Sequence, residues 1–215
     1  MSKPPEREKL VIEGPAGPLE ALLEVPAGAS PNALAVVCHP HPLHGGTMQN
    51  KVAHTLARAC NDLGFAALRF NFRGVGASAG SHDNGVGEVD DARAVLTYGR
   101  QRFAGPVLLS GFSFGSLVAL ELARSESVAQ LISIAPPVSR LAVGPDWSQP
   151  DCPWLIVQGD TDELVDADEV LTWVDALEPG PRLVVLNDVD HFFHGNLVLL
   201  RELIVSELGD KDYAK

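Results

Sequence analysis

The sequence predicts an α/β fold in which a mostly parallel sheet is covered by helices on both faces. From residue 33 onward, short apolar segments alternate with longer segments of helical periodicity. Continuously apolar runs are typical of strands buried on both faces of a parallel sheet. The alternation indicates β-α-β crossovers, in which a helix joins two parallel strands and packs on the sheet.

The expected strands are apolar segments bounded by glycine, proline or polar residues. The first two flank a Gly/Pro-rich turn at 14–18, and this arrangement predicts an antiparallel pair at the start of the chain. The predicted strands cover 10–13, 19–25, 33–38, 65–72, 107–111, 128–135, 154–159 and 182–186.

The expected helices carry apolar residues on one face. In the first of them Val52, Leu56, Cys60 and Leu63 recur at helical spacing, and Gly64 is a plausible stop. The predicted helices cover 49–63, 88–103, 115–125, 166–177 and 191–208.

Composition is that of an ordinary globular protein: 215 residues, 46% hydrophobic and 20% charged. The net charge of −12 argues against a nucleic-acid partner. No export signal and no apolar run of ~20 residues is evident, so we expect no membrane partner. Three cysteines without paired spacing favour reduced thiols in the cytoplasm. We expect a single domain over 1–215 with a frayed tail at 209–215; the oligomeric state is left open.

A candidate nucleophile stands in the G-x-S-x-G segment that runs from Gly111 to Gly115. The segment follows an apolar strand and opens a helix, so Ser113 is predicted to lie on a sharp strand-to-helix turn with its hydroxyl exposed. Glycine two residues away on either side would prevent a collision across that turn. The backbone N–H of Phe114, at the helix N-terminus, is a natural oxyanion donor. The alternative is a serine that merely caps the helix.

A serine hydroxyl needs a base and an orienting acid. Downstream candidates follow the strands that end near residues 157 and 186, at the sheet edge where ligands bind in open parallel sheets. Asp160 and Asp162 are candidates for the acid, and His191 and His194 for the base. Acids at 166, 168 and 169 are expected to cap a helix instead.

Nearly the whole chain resembles the α/β-hydrolase superfamily, and more narrowly the short, lidless, dienelactone-hydrolase-like and predicted esterase proteins. Four segments carry the resemblance: HPHPLHGGT at 39–47, NFRGVGAS at 71–78, the serine turn, and the acid and histidine loops at 158–165 and 188–191. The resemblance implies that Asp162, fourth in a G-x-x-D turn, is the acid and that His191 is the base. Dienelactone hydrolases use cysteine where this chain has Ser113, so that particular activity is not expected.

In the family the loop after the first parallel strand supplies a second oxyanion N–H. Pro40 and Pro42 have no N–H, which leaves His41, preferred by alignment, and Leu43. The same loop also contains an H-x-H-x-x-H pattern that superficially resembles a zinc-ligand run. We expect no metal, because the acid that precedes the third histidine in such runs is replaced here by Leu43; the imidazoles would then orient the loop. Arg73 is expected to pair with a nearby acid or carbonyl.

The predicted reaction is hydrolysis of a small carboxylic ester through an acyl-enzyme, with no cofactor. Residues 136–153 leave room for a short loop and not for a helical cap, which favours an open site. Five apolar side chains could line it or belong to the core: Phe112, Phe114, Val138, Leu141 and Trp147. Thioesterase and peptidase chemistry, and a noncatalytic binding role, remain alternatives.

Overall fold

The computed structural model describes residues 3–141 and 147–209. Its strands form one eight-stranded sheet of order β1-β2-β4-β3-β5-β6-β7-β8. The strands are β1 (Glu6–Gly14), β2 (Gly17–Val25), β3 (Leu34–Cys38), β4 (Ala66–Phe70), β5 (Val107–Phe112), β6 (Gln130–Ile134), β7 (Trp154–Gly159) and β8 (Arg182–Leu186).

The predicted sheet topology is confirmed. Strands β1 and β2 form an antiparallel hairpin around the turn between Gly14 and Gly17, and β2 pairs antiparallel with β4. From β4 across to β8 every pair is parallel. The carboxyl ends of these six strands therefore point to one edge of the sheet.

Helices cover both faces of the sheet, as expected. They are α1 (Lys51–Asp62), α2 (Val86–Arg102), α3 (Phe114–Ala123), α4 (Ala167–Asp175) and α5 (Leu197–Leu208). Side chains of α1 and α5 join one hydrophobic cluster, and those of α2, α3 and α4 join another on the opposite face. Within the described ranges, no helix combines the length and apolarity needed to cross a bilayer.

The predicted start of the last helix is wrong. Residues 191–196 form turns, and α5 begins at Leu197. Left-handed backbone at Phe193 (φ 56°) and Gly195 (φ 75°) is incompatible with helix continuation. His191 and His194 therefore lie in a loop. Gly209 caps α5, and the rest of the predicted frayed tail lies outside the described residues.

The apolar side chains that could have lined an open site belong mainly to the core. Phe112, Phe114 and Val138 are buried in the hydrophobic clusters. Trp147 packs edge-to-face against Trp173 of α4, with ring centroids 5.9 Å apart. It also lines a cavity along the starts of β7 and β8. That end of the sheet lies opposite the carboxyl edge, so Trp147 is remote from the candidate site.

A buried histidine ties together the loops that follow β3 and β4. His39 is fully buried; its Nδ1 lies 2.6 Å from the carbonyl oxygen of Pro40, and its Nε2 accepts the N–H of Phe72 at 3.1 Å. Both ring nitrogens are therefore used by a neutral imidazole. Burial lowers the pKa of His39 to about 4, against the smaller opposing effects of the Pro40 carbonyl and the Glu88 charge.

A buried ion pair anchors the segment that leads into α1. The Arg69 guanidinium on β4 donates to the Glu24 carboxylate on β2 at 2.8 Å, and both side chains are almost fully buried. Arg69 also donates to the backbone carbonyl of Met48, while Asn71 accepts the Met48 N–H at 2.8 Å. The side chains of Arg69 and Asn71 thus bind both the carbonyl and the N–H of Met48.

Replacing Arg69 with Met is expected to lower the free energy of unfolding by about 3 kcal/mol, because it leaves the buried Glu24 carboxylate with only the half-exposed Arg7 guanidinium as a charged partner. Urea denaturation measures the change. The matched control is Arg102→Met, which removes the partly exposed ion pair with Glu8 and should cost less than about 1 kcal/mol. Equal losses of unfolding free energy in the two variants would show that the buried Arg69–Glu24 pair stabilises the fold no more than an exposed pair does.

His39 should make the fold acid-sensitive. Because its folded-state pKa of about 4 lies below its unfolded value, only the unfolded chain binds a proton between those two pH values. The stabilisation that neutral His39 gives to the folded state is thus complete above about pH 6.5. It falls as the pH drops toward 4, and at pH 5 the free energy of unfolding is lower by about 2 kcal/mol. The difference in unfolding free energy between pH 7.5 and pH 5 should shrink by that amount in His39→Gln. An unchanged difference would show that His39 is not the group responsible.

Candidate active site

The candidate nucleophile occupies a strained turn at the end of β5. Ser113 has φ 52° and ψ −121°, a left-handed conformation that is rare for a residue with a side chain. Its N–H donates to the carbonyl of Ile134 at 2.8 Å, which links the turn to β6.

Both glycines of the motif are sterically required. A Cβ on Gly111 would lie 2.1 Å from the carbonyl oxygen of Gly115, and a Cβ on Gly115 would lie 2.4 Å from the carbonyl oxygens of Cys38 and His39. The expectation that small residues prevent a collision across this turn is confirmed. The second contact also packs the start of α3 directly on the loop that follows β3.

An acid and a histidine meet across the loops after β7 and β8. The Nδ1 atom of His191 lies 2.8 Å from Oδ2 of Asp162, and both side chains are almost fully buried. The other carboxylate oxygen of Asp162 accepts the N–H groups of Leu164 and Val165 at 2.9 and 2.8 Å. The amide of Gln158 adds a fourth donor, 3.0 Å from Oδ2.

These hydrogen bonds keep the acid ionised. Burial by itself raises the pKa of the Asp162 carboxyl, but the hydrogen bond with His191 and the two backbone N–H groups outweigh it and leave the pKa below its usual value. An ionised Asp162 that accepts from Nδ1 fixes the imidazole tautomer and leaves Nε2 as the basic nitrogen.

Aromatic packing holds the imidazole beside the serine turn. The His191 ring contacts both Phe112 and Phe192, with centroid distances of 5.0 and 5.1 Å, and Phe112 immediately precedes Ser113. The backbone N–H of His191 donates to the Glu163 carboxylate at 3.2 Å. Among the described residues the Ser113 hydroxyl makes no hydrogen bond, His191 included. Such bonds often tighten only when a substrate is bound.

The alternative acid and base have other partners. Asp160 accepts the N–H of Asp188 at 2.7 Å and stabilises the turn. His194 is exposed and pairs with Asp190 at 2.7 Å. The structure therefore brings Asp162 and His191 together, and it places Asp160 and His194 in separate loop contacts.

The two residues proposed as oxyanion donors are neighbours. The rings of His41 and Phe114 are tilted against each other at a centroid distance of 4.9 Å. Phe114 is the first residue of α3, so its N–H has no acceptor within the helix. The N–H of Leu43, the other available donor in the loop, is directed to Nδ1 of His41 at 3.2 Å. That contact favours the His41 N–H as the second donor.

A metal site at the histidine-rich loop does not fit this geometry. His39 uses both ring nitrogens inside the protein. In residues 3–141 and 147–209, no group of three or more histidine, cysteine or acidic side chains is arranged to hold a metal ion.

The glycine-rich loop after β4 is a structural turn. Arg73 pairs with Asp91 through two nitrogens, at 2.7 and 3.0 Å, which confirms the expected acid partner. Gly74 and Gly76 have positive φ values of 74° and 58°.

Sequence reasoning missed three neighbours of the site. Gln158 donates to Asp162, Glu163 accepts from His191, and His82 approaches Phe114, with ring centroids 5.6 Å apart. Gln158 and Glu163 flank the G-x-x-D turn, and their position was the available signal. His82 had none, because only the folded chain brings it to the serine turn.

Comparison with known proteins agrees with this fold. A family model described as an alpha/beta hydrolase domain matches residues 34–197. An uncharacterized protein of Rickettsia prowazekii is 39% identical over 196 residues, covering 86% of this chain and 82% of the relative.

Two solved structures are similar over almost the full chain. An alpha-beta serine hydrolase homologue from Coxiella burnetii is 47% identical with a TM-score of 0.89, covering 94% of this chain and 97% of its own. XC6422 from Xanthomonas campestris, described as a serine hydrolase without a lid, is 42% identical with a TM-score of 0.89, covering 97% and 96%. Residues 3–141 and 147–209 contain no cap domain, and the chain belongs to the α/β-hydrolase family and has a serine-hydrolase fold.

Proposed function

We propose that this protein is a serine hydrolase that cleaves a small carboxylic ester through an acyl-enzyme intermediate. The observation that carries the proposal is the buried Asp162–His191 pair at 2.8 Å, packed through Phe112 against the strained turn of Ser113. In such an arrangement the acid fixes the imidazole, and the imidazole activates the serine.

In the proposed mechanism Nε2 of His191 takes the Ser113 proton as the hydroxyl oxygen attacks the ester carbonyl. Asp162 stabilises the imidazolium that forms. His191 then protonates the leaving alcohol, and the acyl group remains on Ser113. Water, deprotonated by the same imidazole, attacks the acyl-enzyme and releases the acid.

The N–H groups of Phe114 and His41 would stabilise the tetrahedral oxyanion. Loss of one such donor typically lowers the rate by about 10²–10³-fold. The close approach of Gly115 to the backbone of Cys38 and His39 supports this role, because it fixes the β3 loop and the start of α3 relative to each other.

The short connection between β6 and β7 favours accessible substrates. Its described part contains a single 3-10 turn, Val138–Arg140, and the related Xanthomonas structure is described as lidless. We therefore place small acyl esters ahead of long lipids.

Ser113→Ala should abolish labelling by a fluorophosphonate probe and reduce ester turnover to background, while circular dichroism stays unchanged. Asp162→Asn, which leaves the nucleophile in place, should retain slow labelling and lower kcat by about 10³–10⁴-fold. Persistent labelling of the alanine variant would identify a different nucleophile. Absence of labelling in the unaltered protein would favour a noncatalytic role.

A series of p-nitrophenyl esters from acetate to palmitate should give its highest kcat/KM at the short chains, because the described part of the β6–β7 connection forms no cap over a long acyl group. The series is measured below the critical micelle concentration of each ester. A maximum at the long chains would contradict the open-site interpretation.

A further inference from the structure

Three imidazoles gather on the oxyanion side of the serine turn. The rings of His41 and His44 are stacked at a centroid distance of 4.5 Å, and that of His82 lies 4.9 Å from His41. Phe114, the neighbour of Ser113, contacts both His41 and His82. We call His41, His44 and His82 the imidazole cluster.

Close contacts at Nδ1 indicate which ring nitrogens are left for a ligand. Nδ1 of His41 accepts the Leu43 N–H, so a neutral His41 carries its proton on Nε2. Nδ1 of His82 lies 2.8 Å from Oε1 of Glu88, whose side chain is fully buried. In both residues Nε2 is the nitrogen left for a bound group.

The carboxylate behind His82 is a fixed negative charge. Burial raises the pKa of Glu88, but the N–H groups of Asp83 and Gly85 and the charge of His82 outweigh it, so the net pKa is lowered. An ionised Glu88 places a negative charge 2.8 Å from Nδ1 of His82.

His41, the central member of the cluster, has a lowered pKa. Burial lowers the pKa of His41 most, and the charges of His44, His82 and Arg140 lower it further, against an opposing effect of Glu88. An anion placed among these groups would relieve their mutual repulsion and accept their hydrogens.

The opposite side of the site carries two further acidic side chains. Glu163 accepts the backbone N–H of His191, and Asp190 pairs with His194. The whole chain carries a net charge of −12. The carboxylates on the base side repel a negatively charged substrate group. On the cluster side the negative charge of Glu88 is buried behind His82, and the Arg140 guanidinium and the imidazole nitrogens are the groups that can bind an anion.

We propose that the imidazole cluster is an anion subsite, and that the ester cleaved at Ser113 carries a carboxylate near its scissile carbonyl. The substrate class rests on the proposed hydrolase function, whereas anion binding by the cluster stands on its own geometry.

The first test compares p-nitrophenyl hydrogen glutarate, which carries one carboxylate, with its methyl ester, which is neutral. At pH 6.5 kcat/KM should favour the anion by about tenfold, as expected for one added charge-assisted contact. The preference should decrease several-fold by pH 8.5, because imidazolium is lost as the pH rises. A neutral preference at every pH would overturn the proposal.

Variants locate the subsite. His82→Gln and His44→Gln should each lower the anion-to-neutral ratio of kcat/KM about fivefold. His194→Gln is the matched control on the base side and should leave that ratio unchanged. An equal fall in all three variants would assign the preference to the general field of the protein and overturn the subsite.

A binding experiment separates the subsite from the chemistry. In Ser113→Ala, monomethyl glutarate should raise the NMR-measured pKa values of the cluster histidines, and neutral dimethyl glutarate should not. This shift without Ser113-dependent turnover would support the subsite and reject the proposed function. Ser113-dependent turnover without the shift would reject the subsite alone.

Discussion

The geometry of the site depends on a close backbone contact where β5 meets α3. The hydrogen atom of Gly115 faces the carbonyl oxygens of Cys38 and His39, and no side chain fits between them. This contact sets the distance between the nucleophile turn and the β3 loop. The left-handed conformation of Ser113 is maintained because both neighbours of the turn are pressed against backbone.

Buried polar groups then fix the loops around that turn. His39 joins the loops after β3 and β4 with both of its ring nitrogens. Asp162 accepts four hydrogen bonds from the loops after β7 and β8 and from β7 itself. Since an unpaired polar group is costly in the interior, each network permits few other loop arrangements. Preorganised donors and acceptors of this kind are what acyl-transfer chemistry requires.

Charge is distributed unequally across the site. Imidazoles and the Arg140 guanidinium lie beside the proposed oxyanion donors, with the buried Glu88 carboxylate behind His82, whereas Glu163 and Asp190 lie near the proposed base. The two sides of the serine turn therefore offer different groups to a substrate, and substrate selection can act on that difference.

The sequence by itself determined the alternation of elements, the strand order of the first hairpin and the position of Ser113. Each of these depends on local properties: apolar periodicity, turn residues and the glycines around one serine. The strands β7 and β8 were predicted to the residue because proline or polar residues bound them closely.

Only the tertiary structure decided which side chains meet. The local pattern offered both Asp160 and Asp162, and the family resemblance favoured Asp162. The contact with His191, 29 residues away, separates the two in space. The tertiary structure also moved the start of the last helix from residue 191 to Leu197, because the loop that carries His191 bends through left-handed residues. His82, in the loop between β4 and α2, lies against Phe114 of the serine turn. Long-range contacts of this kind depend on how the sheet arranges its loops in space, and a local pattern does not record that arrangement.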